Sequence, residues 1–173
     1  MLSYTQCRDI INEEINSLSF SGHPKELYEP VEYMMKLGGK RIRPAMCLMA
    51  SSLFDGDILK AIRPAIGLEI FHNFSLVHDD IMDEADLRRG NPTVHKKWNQ
   101  TIGILSGDLM EILATEFIAQ VDARHLKKSL NVFFTLSKKV CEGQQLDMNF
   151  ENVSTVTESE YIDMISKKTA ALL

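Results

Sequence analysis

The stretch ILKAIRPAIGLEIFHNFSLVHDDIMD, residues 58–83, is the longest run of helical spacing in the chain. Apolar side chains recur through it (Ile66, Leu68, Ile70, Phe71, Leu76, Val77), and no period-two alternation replaces that pattern. Pro64 lies within the run, so the helix either kinks there or begins there. Towards the N-terminus, Ile10, Ile11, Ile15 and Leu18 recur at steps of three and four, stopping before Ser21-Gly22-His23-Pro24. A second helix is expected from Pro24, a good first-turn residue, to the stop at Gly38-Gly39, with Leu27, Val31, Met34 and Met35 inward. A third carries Ile42, Ala45, Met46, Met49 and Leu53 and ends near Asp55-Gly56-Asp57. Beyond residue 83 comes a polar break, EADLRRGNPTVH, punctuated by Gly90 and Pro92. Helical spacing resumes at about Thr101, again from about Leu126 to Met148, and, after a loop at NVSTVTESE, from Glu158 to Leu173. Hairpin patterning, repeats and low-complexity segments are all lacking. The expectation is an all-α bundle forming a single domain over residues 1–173. Because Ala170-Ala171-Leu172-Leu173 falls within an apparent helix without a cap, this is read as the N-terminal part of a longer protein.

Composition narrows the possible functions. The 173 residues carry 19 Lys and Arg against 24 Asp and Glu, a formal charge of −5, with 45% hydrophobic residues. That is globular composition. The longest stretch free of charged residues runs only from Pro44 to Phe54, well short of the roughly 20 apolar residues of a membrane span. The first residues carry acids through their apolar pattern, unlike a signal peptide. Cys7, Cys47 and Cys141 are odd in number and far apart, as suits reduced thiols in a cytoplasmic protein. Net acidity argues against nucleic acid as a partner, since that affinity rests on Lys and Arg neutralising phosphates.

The chemistry concentrates at residues 72–90, HNFSLVHDDIMDEADLRRG. A helix turns about 100° per residue, so Asp79 and Asp83 stack one turn apart, with Leu76 and His72 continuing their stripe. Paired carboxylates repel on a structural face, but hard oxygen ligands at that spacing suit Mg²⁺, which keeps its other positions for water and phosphate. Asp80 points about 100° away, either supporting the metal site or simply solvated. The cluster caps an otherwise apolar helix, which favours a functional over a solvated reading.

GGKRIRP, residues 38–44, is the second element. Lys40 and Arg43 are three apart and are expected to share a face at a helix start. Glycines there free backbone N–H groups and the helix terminus adds positive potential, which together make an anion site. Arg88-Arg89-Gly90 forms a second basic pair. Two anion sites beside a divalent-metal site imply two phosphorylated groups.

In order along the chain stand GGKRIRP, HNFSLVHDDIMD, LRRGNPTVH, Gly107-Asp108, Gly143-Gln144 with Asp147, and KTAAL from Lys168. This series resembles the trans-isoprenyl diphosphate synthases, or polyprenyl synthetases, across residues 38–172. The resemblance implies a helical bundle around a central cavity, here truncated before the family's second aspartate-rich motif. It also implies head-to-tail condensation of isopentenyl diphosphate with an allylic diphosphate, giving a short-chain product of farnesyl or geranylgeranyl type. Carried over residue by residue, Lys40, Arg43, His72 and Arg89 match isopentenyl diphosphate contacts. Asp79 and Asp83 match the Mg²⁺ ligands. Arg88, Lys168 and Thr169 match contacts to the allylic diphosphate, and Phe74 and Ser75 the positions that help set product length. Phe74 also reads as plain core packing. A homodimer is implied by the family, with Met110, Phe117, Phe133 and Phe134 serving core or interface equally well.

Ionisation of the allylic diphosphate needs its leaving group neutralised, the role of Mg²⁺, Arg88 and Lys168. Two alternatives remain beside this reading. A chain lacking the second aspartate motif is also a non-catalytic fragment or a regulatory subunit of such a synthase. His78-Asp79 with His72 nearby also fits a metal-dependent phosphohydrolase of the HD type, which leaves GGKRIRP and LRRG unexplained. Trp98 and His95 are expected to pack or cap near the loop after Arg89.

Overall fold

The central helix begins at Asp57, whose carboxylate accepts the Leu59 amide as an N-cap. It then runs unbroken as Ile58–Met82, straight through Pro64, which is buried inside it. The computed structural model describes residues 2–173. In chain order the helices are α1 (Tyr4–Ser17), α2 (Lys25–Lys36), α3 (Ile42–Leu53) and α4 (Ile58–Met82). They continue with α5 (Val94–Lys97), α6 (Gln100–Ile118), α7 (Ala123–Phe150) and α8 (Glu158–Lys168). Several features differ from the sequence reading, among them that α7, at 28 residues, is longer than α4, at 25. The polar break contains a two-residue hairpin, β1 (Leu87–Arg88) against β2 (Asn91–Pro92), with Arg88 opposite Asn91. The last helix closes at Lys168, and Ala170–Leu172 forms a separate 3₁₀ turn instead of its continuation. Otherwise the all-α architecture is as expected.

The chain divides into two compact units, the first ending at Val121 and the second spanning Asp122–Leu173. In the first unit α4 is the hub, packed by α3 and α6 and touched by α1, α2 and α5. A helix surrounded on several sides is apolar nearly all round, and α4 buries eleven residues, Ile62, Ile66, Ile70, Phe71 and Val77 among them. Val31, Met34 and Met35 from α2, Leu48 from α3 and Met110 from α6 complete this core. Each such side chain contributes roughly 1.5–3 kcal/mol on burial. Met110 is thus a core residue of the first unit, while in the second unit Phe133 is buried and Phe134 is 44% exposed.

The motif glycines find a structural purpose. A Cβ at Gly107 would fall 2.2 Å from His78 Nε2, so α6 passes α4 with no room for a side chain. In the second unit a Cβ at Gly143 would meet the Lys168 backbone nitrogen at 2.2 Å. That close approach seats the end of α8 on α7, whose buried residues include Phe133 and Val140. Among the described residues no helix is long and apolar enough to cross a membrane.

Candidate functional site

The middle of α4, the segment before α3 and the hairpin meet around one pocket in the first unit. It has a volume of about 400 Å³ and is lined by residues 39–43 together with Glu69, His72 and Arg89. Gly38 and Gly39 adopt φ of 74° and 145°, and residue 41 is itself left-handed at φ 52°. These angles turn the chain sharply enough to bring Lys40 and Arg43 to the same cavity. Lys40 is not on the helix as the spacing predicts: α3 starts at Ile42, and Lys40 belongs to the turn before it. Its backbone carbonyl accepts the Tyr4 hydroxyl. Arg89 arrives from the hairpin, where φ is again positive, and donates to the Gly38 carbonyl.

Electrostatics in this pocket favour an anion. Arg43 Nη1 lies 3.4 Å from His72 Nε2, and Arg43 Nε is buried without a hydrogen-bond partner. Burial lowers the pKa of Arg43, partly opposed by the charge of Glu69. Burial likewise lowers that of Arg89. Burial, reinforced by Arg43, Arg89, Arg88 and Arg41, holds the His72 pKa at about 3. His72 is therefore neutral at physiological pH, with Nε2 free to accept from Arg43 and Nδ1 carrying the proton. Cations brought together in partly buried surroundings without enough carboxylates are what a diphosphate neutralises.

The acidic end of α4 splits into two roles. Asp80 is 1% exposed and accepts Arg88 Nε at 2.9 and 2.8 Å, with Arg88 Nη2 at 2.7 Å. Its solvated reading is thus excluded. The hydrogen bond to Asp80 is the main cause that raises the Arg88 pKa. Arg88 Nη2 also lies 3.9 Å from Asp79 Oδ2. Asp79 and Asp83 stand one turn apart as expected, the Asp83 amide donating to the Asp79 carbonyl at 2.8 Å. Among the described residues no three His, Cys, Asp or Glu side chains group to hold a metal. Two carboxylates fit Mg²⁺, whose remaining positions go to phosphate and water oxygens. His78 faces α6 instead, Nε2 lying 3.2 Å from the Ile104 carbonyl and 3.9 Å from Asp108. That placement gives the phosphohydrolase reading no support.

Phe74 packs on Phe71 (centroids 5.4 Å apart) and His78 (4.9 Å), while the Ser75 hydroxyl donates to the His72 carbonyl. Trp98 packs edge-on against Tyr33, with Lys97 over both rings, and His95 Nδ1 lies 3.3 Å from Thr93 Oγ1. Lys168 and Thr169 lie in the second unit, where the Lys168 ammonium pairs with Asp147. That pair joins two of the motifs, Gly143-Gln144 with Asp147 and KTAAL. The sequence reading missed Glu69 and Arg41. Their available signal was a carboxylate three residues before His72 on an apolar helix, and a third cation within GGKRIRP.

The first unit thus combines a mainly helical fold, a pocket lined by cations and a helix end that carries paired carboxylates. The chain belongs to the polyprenyl synthetase family, whose model matches residues 24–173. It is 40% identical to a geranylgeranyl diphosphate synthase of Methanosarcina mazei over 164 residues, covering 94% of this chain and 51% of the relative. Identity is 43% to a short chain isoprenyl diphosphate synthase of Methanothermobacter thermautotrophicus, covering 94% and 49%. The structure of geranylgeranyl pyrophosphate synthetase from Pyrococcus horikoshii superposes with a TM-score of 0.91 at 42% identity, over 98% of this chain and 53% of that one. The chain spans about half the length of the curated relatives it matches.

Proposed function

We propose that this chain recognises the substrates of a head-to-tail prenyl transfer, in which isopentenyl diphosphate adds to an allylic diphosphate to give a short-chain product. The carrying observation is the gathering of Lys40, Arg43 and Arg89 around a neutral His72 in one pocket of about 400 Å³, His72 lying on the helix whose last turn and cap carry Asp79 and Asp83. The pocket suits isopentenyl diphosphate. Lys40, Arg43 and Arg89 neutralise its anion, and His72 keeps Arg43 oriented without adding charge. Arg88, held by Asp80 and near Asp79, is placed to contact the allylic diphosphate. Asp79 and Asp83 would hold Mg²⁺, which when bound neutralises the charge developing on the leaving diphosphate. Holding both substrates in line then lets the isopentenyl double bond attack the allylic cation as its diphosphate departs. Loss of one proton completes the product, and the departing diphosphate can accept it. Lys168 and Thr169 are assigned to the allylic diphosphate, Phe74 and Ser75 to product length, and a homodimer to the assembly, all on family likeness.

Mass spectrometry tests this after incubating the 173-residue chain with Mg²⁺, isopentenyl diphosphate and dimethylallyl, geranyl or farnesyl diphosphate. A discrete farnesyl or geranylgeranyl diphosphate supports the whole reaction. A folded chain that binds isopentenyl diphosphate but forms no product supports recognition without turnover, as in a fragment or regulatory subunit. A folded chain that forms no product and binds no isopentenyl diphosphate refutes the proposal.

A further inference from the structure

One carboxylate lines the cation pocket, Glu69, and no step assigned above uses it. It is 2% exposed, and its Oε1 accepts Arg41 Nη1 at 2.7 Å. The same guanidinium donates through Nη2 to the Met35 carbonyl at 2.7 Å and through Nε to Asn12 Oδ1 at 3.3 Å. A single side chain thereby ties α1, α2 and α4 to the residue that precedes α3. That residue sits at φ 52°, ψ 33°, a left-handed conformation that disfavours any residue carrying a Cβ. Such a conformation persists only where its surroundings over-determine it, and here the three guanidinium bonds do so. Its consequence is geometric: the turn at 41 aims Lys40 and Arg43, on either side of it, at one cavity.

We propose that Glu69 is a positioning residue for anion binding, its buried ion pair with Arg41 fixing the left-handed turn that converges Lys40 and Arg43 on one diphosphate group. This rests on the reading of the pocket as a diphosphate site, and it predicts a sign that simple electrostatics does not. Replacing Glu69 by Gln makes the pocket more positive by one charge. If Glu69 were only a negative charge in the wall, an anion would then bind more tightly. If Glu69 holds the turn, the anion binds more weakly although the pocket is more cationic.

Titration calorimetry with inorganic pyrophosphate on the 173-residue chain separates the two, with circular dichroism confirming the helical fold of each variant. Glu69→Gln is expected to weaken binding severalfold, because the neutral amide oxygen keeps only a weaker hydrogen bond to Arg41 in place of a charge-assisted one. Arg41→Lys keeps the charge but cannot span three acceptors with one ammonium, and is expected to weaken binding similarly. Should Glu69→Gln not fold, Arg41→Lys decides alone. Equal or tighter binding in a folded variant overturns the proposal. Lys40→Ala combined with Arg43→Ala tests the underlying site separately. If the wild type does not bind, or binds no better than that double variant, the pocket reading itself fails. If the double variant loses binding while Glu69→Gln retains it, only the positioning role fails.

Discussion

Neutral His72 makes the stability of the first unit depend on pH in a way that can be worked out. Its pKa falls from an ordinary 6.5 to about 3 in the folded chain, through burial first and the surrounding arginines second. Below pH 6.5 the unfolded chain takes up a proton on this residue and the folded chain does not. Acid therefore favours unfolding, and stability falls as pH drops from about 6.5 towards about 3. The slope is about 1.4 kcal/mol per pH unit inside that window. Between about pH 8 and about pH 5 the loss assignable to His72 is then about 2 kcal/mol. Urea unfolding of the wild type and of His72→Gln at both pH values isolates it, because other titrating groups cancel in the double difference. The wild type should lose about 2 kcal/mol more than the variant. Inorganic pyrophosphate should shrink that difference, since an anion in the pocket raises the His72 pKa. Equal pH dependence in the two proteins would refute a buried, arginine-surrounded neutral imidazole.

The two acidic roles on α4 should separate experimentally. Asp80→Asn leaves the Arg88 guanidinium without its buried counter-charge and should cost about 2–3 kcal/mol in urea unfolding, discounted for the partial exposure of Arg88. Asp83→Ala removes an exposed carboxylate and should change stability by no more than about 0.5 kcal/mol. It should nonetheless abolish Mg²⁺-enhanced pyrophosphate binding seen by calorimetry, and a variant that keeps the enhancement would contradict the metal-ligand role. Gly67→Ala tests the contact of α4 with α6: its Cβ would lie 2.9 Å from the Ala114 carbonyl oxygen and 3.0 Å from the Ile118 nitrogen. Backbone cannot rotate aside, so overpacking of about 1–3 kcal/mol should exceed the gain of about 1 kcal/mol from helix propensity. A raised thermal midpoint would show that the two helices are not in tight contact.

What the sequence determined is local in origin. Period-3.6 spacing placed α4 at about 58–83, close to the observed Ile58–Met82, and the four-residue step from Asp79 to Asp83 put both carboxylates on one face, because helix geometry repeats regardless of surroundings. The stop at Gly38-Gly39 and the motif order were equally legible along the chain. Beyond reach were contacts between residues far apart in sequence. Arg41 meets Glu69 across 28 positions, and nothing in helical periodicity says which face of α4 turns to the segment before α3. For the same reason Asp80, read as turned off the metal stripe, becomes the buried anchor of Arg88. The left-handed angle at Arg41 is not a propensity of arginine; three acceptors supplied by α1, α2 and α4 impose it. The neutrality of His72 likewise depends on burial and on four arginines assembled from two segments, Arg41 and Arg43 at the start of α3 and Arg88 and Arg89 in the hairpin. Sequence determined which groups of each helix share a face, and tertiary structure alone decided which groups meet and what charge they carry, because burial and electrostatic coupling depend on distances that only packing sets.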